Sequence, residues 1–154
     1  MVDVSRKAET LREAIVRGSI FMKPATFKKI MSGKIAKGDV LSVAKVAGIM
    51  AAKRTSEIIP MCHPLNLSHV EVNLFPFEKE SRIEIEVKVR IKARTGVEME
   101  GLVAVATAGL TIYDMCKAID RGMVLTDIHL VKKTGGKSGT YVVRSSESGV
   151  RSKR

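Results

Sequence analysis

The chain has 154 residues, with 27 Lys and Arg against 16 Asp and Glu, a formal charge of +11, 45% hydrophobic and 28% charged residues. That length and balance fit one globular domain with a real core and exclude wholesale disorder, since enough apolar material is present to offset the ordering entropy. Two cysteines, Cys62 and Cys116, are too few for a disulfide framework and point to a reducing, cytoplasmic interior.

The first seven residues lack the apolar stretch of a signal peptide, so no targeting segment is expected. Residues 18–22 form a short apolar strand that Pro24 closes, and residues 26–31 a small helix ending at Gly33. Asp39 is a candidate N-cap for a helix over residues 40–52, apolar on almost every face and therefore destined for the core or a subunit interface. Pro60 and Pro64 force an irregular loop around Met61, Cys62 and His63. Residues 69–75 alternate as a half-buried strand, a hairpin follows over 76–81, and Ile83, Ile85, Val87, Val89 and Ile91 then alternate with charges as a long strand with one wet face.

Residues 99–119 read as a second long helix, closed by Arg121-Gly122. Its uncharged stretch, residues 101–113, falls short of the roughly 20 apolar residues of a membrane span, so a buried helix of a soluble protein is expected. Residues 123–132 and 141–144 supply two more strands, with His69 and His129 expected on wet faces. This order predicts an α+β two-layer sandwich, helices on one face of an antiparallel sheet, in a single domain over residues 1–143. Residues 144–154, basic and rich in Ser and Gly, read as a flexible tail.

Four constellations carry chemistry. Gly135-Gly136-Lys137-Ser138-Gly139 has the look of a phosphate loop, but Val131 stands where a P-loop needs glycine and residues 141–143 look extended rather than helical. A Walker fold is rejected; a lysine-bearing loop able to meet an anion and a plain hairpin turn both remain open. Asp114 and Lys117 share a helix face, either as a local ion pair at its solvent end or as a carboxylate and ammonium tuned for proton transfer. Glu98 and Glu100 open the same helix, where acids also simply favour the dipole. In one continuous helix Glu100 and Asp114 lie roughly 21 Å apart, so a pocket served by both ends must be built between two chains. Met61-Cys62-His63 puts a thiol beside an imidazole, with His63 the better ligand contact or proton carrier and no metal site in view. A basic nucleic-acid module is the second functional reading, weakened by only 4% aromatic residues; a nucleoside triphosphate hydrolase is the third.

Taken together and in order, Met1-Val2-Asp3-Val4, Lys37-Gly38-Asp39-Val40, Ala51-Ala52-Lys53-Arg54-Thr55, Ile59-Pro60-Met61-Cys62-His63-Pro64-Leu65, Thr95-Gly96-Val97-Glu98-Met99-Glu100, the segment from Leu110 to Lys117 and the glycine loop closely resemble the molybdenum cofactor biosynthesis protein C family, the cyclic pyranopterin monophosphate synthases. The resemblance covers residues 2–141. It implies a ferredoxin-like protomer in a homo-hexamer, a trimer of dimers with sites at the dimer interface. It implies conversion of 3′,8-cyclo-7,8-dihydroguanosine triphosphate to cyclic pyranopterin monophosphate and pyrophosphate, with neither cofactor nor membrane. It also implies Asp114 and Lys117 as catalytic residues, with Met61, Cys62, His63, Met99, Glu100, Glu98, Lys37, Lys133 and Arg12 contacting substrate. Lys37, Lys133 and Arg12 suit a triphosphate, which several cations must neutralise.

Overall fold

A computed structural model describes residues 1–143; the basic tail lies outside the described residues. The elements are β1 (Thr10–Phe21), α1 (Pro24–Met31), α2 (Val40–Lys53), α3 (Thr55–Ile58), β2 (His69–Phe77), β3 (Arg82–Ala93), α4 (Glu98–Cys116), β4 (Val124–Thr134) and β5 (Tyr141–Val142). The sheet is antiparallel in the order β2-β3-β1-β4-β5. Its first four strands have the split βαββαβ arrangement of ferredoxin-like folds, α2 and α4 packing against each other over one face.

Alternation decides which face meets the helices. Val16, Ile20, Ile83, Ile85, Val87 and Val89 point inward and meet Ala104, Val105, Ala108 and Ile112 of α4. The outer face carries opposite charges directly across the strands, Glu13 facing Arg90 and Arg17 facing Glu86, with Arg17 Nη2 2.6 Å from the Glu86 carboxylate. Small residues let α4 lie close to the sheet: a Cβ on Gly101 would stand 2.6 Å from a Val16 methyl that the core holds in place. Asp39 caps α2, its carboxylate accepting the Ser42 backbone N–H at 3.0 Å.

Several bounds differ from the sequence reading. β1 begins at Thr10, not residue 18. Its inward positions include Ala14 and Gly18, too small to register as an apolar alternation. The β2–β3 turn is tighter than 76–81, because β2 runs through Phe77 and a 3-10 turn over Glu78–Glu80 reverses the chain. The second long helix spans Glu98–Cys116 rather than 99–119, and the last strand only Tyr141–Val142; Arg144 lies outside the described residues. At 19 residues α4 does reach the length and apolarity of a membrane span, yet half of that window is buried between α2 and the sheet. Nor is α2 buried all round: Val43, Val46 and Met50 leave an exposed apolar stripe, with Val46 56% exposed. His69 is exposed, whereas His129 is half-buried, with Nδ1 2.6 Å from the Asp127 carbonyl oxygen.

Candidate active site

The rear of α4 gathers three charged side chains. Lys117 Nζ lies 2.7 Å from Asp114 Oδ1, one turn away on the same helix face. Lys37 reaches in from the loop before α2 and donates to Asp114 Oδ2 at 2.7 Å and to the Asp114 carbonyl at 3.0 Å. Hydrogen bonds from Lys117 and then Lys37 hold the Asp114 carboxyl down to about 2. The same contact pushes the Lys117 ammonium above its ordinary value. All three are open to solvent, Asp114 being 55% exposed. They line a shallow cleft of about 420 Å³ with Tyr113, Ala118 and Arg121.

The front of α4 is built differently. Glu100 is 4% exposed. Burial pushes its carboxyl up, with the neighbouring Glu98 charge acting the same way and its own backbone N–H pulling back. Cys62 sits close by: burial, then the Glu100 charge, raises its thiol, which leaves it a poor nucleophile. His63 Nε2 lies 2.9 Å from the Val2 carbonyl oxygen, an atom that can only accept, so Nε2 carries the ring proton. Met61 is exposed and receives the terminal amine on its sulfur at 3.7 Å, and Met99 is exposed as well.

Beside this end lies a cleft of about 1040 Å³, walled by the N-terminal segment, the turn after β3 and the glycine loop. Arg12, Lys133, Glu98, Arg6, Lys7 and Arg94 all line it. Arg12 is aimed by its hydrogen bonds to the Ala93 and Arg94 carbonyls, both 3.4 Å. Gly135 and Gly136, with φ of +91° and +77°, let the loop pass beneath it: a Cβ on the first would strike the Leu11 carbonyl, and on the second the Arg12 guanidinium. Lys133 donates to the Ser138 hydroxyl. β5 follows the loop as a strand, so no helix dipole addresses it and the Walker alternative has no geometry here.

Within the chain the sequence-predicted residues thus fall into two groups. Arg12, Glu98 and Lys133 share the basic cleft near Glu100, Cys62 and His63, while Lys37, Asp114 and Lys117 stand at the other end of α4. Lys37 does not join Arg12 and Lys133, as a common phosphate grip in one chain would require. Sequence reasoning missed Arg6, Lys7, Arg94 and Arg121 as cleft residues. Arg6 and Lys7 lie in a turn that the Ser5 N–H closes on the Asp3 carboxylate at 2.8 Å and the Lys7 N–H on the Val4 carbonyl at 3.0 Å. Among the described residues no three His, Cys, Asp or Glu side chains gather as a metal set.

Residues 1–136 match the model of the MoaC family. The chain is 58% identical over 142 residues to a cyclic pyranopterin monophosphate synthase of Heliobacterium modesticaldum, covering 92% of this chain and 89% of that one. Proteins of the same name from Thermoanaerobacter pseudethanolicus (59% identity, 92% and 89% covered) and Rhodospirillum rubrum (58%, 92% and 85%) are similarly close.

Proposed function

The chain belongs to the MoaC family, and from that premise we propose that it is a cyclic pyranopterin monophosphate synthase acting in molybdenum cofactor biosynthesis. In this reading it is a cytoplasmic lyase that rearranges 3′,8-cyclo-7,8-dihydroguanosine triphosphate and releases pyrophosphate. The observation that carries the reading is the division of labour along α4. A polyanion needs the cations of the basic cleft, and moving protons on and off a purine needs the tuned group at Asp114 and Lys117.

Arg12 and Lys133 draw the triphosphate into the cleft and offset charge on the departing pyrophosphate. An oxygen of the same molecule attacks the α-phosphorus, and the bond to pyrophosphate breaks. Asp114 keeps Lys117 in its ammonium form, so Lys117 enters the reaction holding the proton it delivers. Glu100, pushed up by burial, is the stronger base of the two carboxylates and holds the ring or ribose edge with His63, Met61, Met99 and Glu98. Lys37 is engaged by Asp114 until substrate charge competes for it.

Fourteen residues of helix separate Glu100 from Asp114, roughly 21 Å at 1.5 Å per residue, too far for one small substrate. The working pocket therefore pairs the front of one α4 with the rear of another, and the resemblance to the family implies a homo-hexamer arranged as a trimer of dimers. The exposed apolar stripe of α2 and Leu110 of α4, 59% exposed, support burial against a second copy. Purified protein given the cyclic triphosphate should release pyrophosphate and form the pterin. Release of inorganic phosphate from GTP with no pterin would instead favour a hydrolase.

A further inference from the structure

Asp120 is a buried acid that neither end of α4 uses. It is 2% exposed and sits in the turn by which the chain leaves α4. Oδ2 accepts the Lys23 backbone N–H at 2.8 Å and the Thr26 hydroxyl at 3.1 Å, and Oδ1 accepts the Gly122 N–H at 3.1 Å. The Asp120 N–H itself returns to the Cys116 carbonyl at 3.1 Å. A carboxylate taken out of water is tolerated only when its oxygens are satisfied in this way. Its donors come from two places: the first turn of α1, which has no side-chain cap of its own from Lys23, and the exit from α4.

Both places lead to the rear group. Backwards along the chain, Asp120 is three residues from Lys117 and six from Asp114. From α1, the chain turns through the Gly33 N–H to Ile30 carbonyl and Lys34 N–H to Lys29 carbonyl bonds and arrives at Lys37, whose ammonium spans back to Asp114. The exit turn also carries Ala118 and Arg121 on the rim of the same cleft, and the Tyr113 hydroxyl donates to the Arg121 carbonyl at 3.2 Å. We infer that Asp120 is a positioning residue: by locking the first turn of α1 to the turn after α4, it sets the Lys37 ammonium against Asp114 and Lys117. The kinetic part of this inference rests on the proposed synthase reaction; the geometric part does not.

The test is Asp120→Ala, with Thr26→Val and Thr26→Ser as a milder pair that removes and then restores one donor. The readout is the 13C shift of the Asp114 carboxyl, followed on acidification in protein shown by circular dichroism to remain folded. With Lys37 released, one of the two ammonium partners of Asp114 is gone, and its midpoint should climb by about one pH unit. Thr26→Val should move it the same way by less, and Thr26→Ser should restore it. kcat for pyrophosphate release should fall about tenfold in Asp120→Ala. An Asp114 midpoint unchanged in folded Asp120→Ala overturns the inference; should that variant not fold, an unchanged midpoint in Thr26→Val does so. Wild-type protein that releases no pyrophosphate from the cyclic triphosphate would remove the functional reading, while the Asp114 midpoint would still decide the positioning role.

Discussion

The two ends of α4 treat the same functional group in opposite ways. At the front, Glu100 is buried close to Cys62 and Glu98, and desolvation makes its carboxyl hold a proton more tightly. At the rear, Asp114 stands in solvent between two lysines, and its carboxyl gives up a proton more readily than a free aspartate would. One helix therefore carries a stronger and a weaker base at the same pH, the kind of separation that marks different acid–base roles. The clefts differ in the same sense. The front cleft is large and basic, fit to hold a polyanion; the rear one is small and fit to move a proton.

Lys117→Ala should cut pyrophosphate release by about 10²–10⁴-fold while leaving the circular dichroism spectrum unchanged, since the side chain is 54% exposed and its ammonium pairs with Asp114. Near-normal turnover would remove Lys117 from the chemistry. At the front, Glu100→Gln should cost about 10²-fold in rate and raise the thermal midpoint at neutral pH. The direction follows from linkage: a carboxyl raised in the folded state costs stability once pH passes its unfolded value, about 4.3. The gain should therefore be present at pH 7, shrink as pH falls and vanish below about 4; a variant less stable at pH 7 would contradict the burial argument.

Gly136→Ala sharpens the front from another side. Its new methyl would occupy the place of the Arg12 guanidinium, so KM for the triphosphate should rise about tenfold with kcat less affected. Acidification separates the two ends more gently. Asp114, depressed to about 2, keeps its ion pairs through the range where ordinary carboxylates protonate; their contribution to stability is full above the unfolded aspartate value, about 3.9, and is gone once pH has fallen through about 2. Carboxyl shifts in the NMR spectrum should thus show Glu100 protonating at a higher pH than Asp114. The smallest effect belongs to Asp39→Ala, which removes the cap beginning just beyond Lys37 and should lower the thermal midpoint by a few degrees.

Much of the architecture was legible wherever one face of an element is wet. β3 alternates cleanly because its outer residues are charged, and Asp39 announces α2 because only a short acceptor can satisfy the first turn. The front half of β1 was not legible. Its buried inward position is Ala14, too small to mark an alternation, and Gly18 further on is just as small because α4 approaches there, a Cβ falling 2.7 Å from Val105. The Asp114–Lys117 pair could be read from spacing alone, being local to one helix turn. Its third member could not: Lys37 meets Asp114 across 77 residues of sequence, a contact that only the packed fold creates. Arg6, Lys7 and Arg94 were hidden for the same reason, since the Ser5 carbonyl meets the Arg94 guanidinium, at 3.0 Å, across 89 residues.

Mixing inactive subunits tests most directly whether the two ends of α4 serve one pocket from different chains. Glu100→Ala protein and Asp114→Ala protein, each inactive alone, are combined and allowed to exchange, with native mass spectrometry reporting the mixed dimers. A mixed dimer places both wild-type ends in one of its two sites, so activity should return to about a quarter of the wild-type value at equal amounts. Mixed dimers that form fully yet release no pyrophosphate would contradict the account.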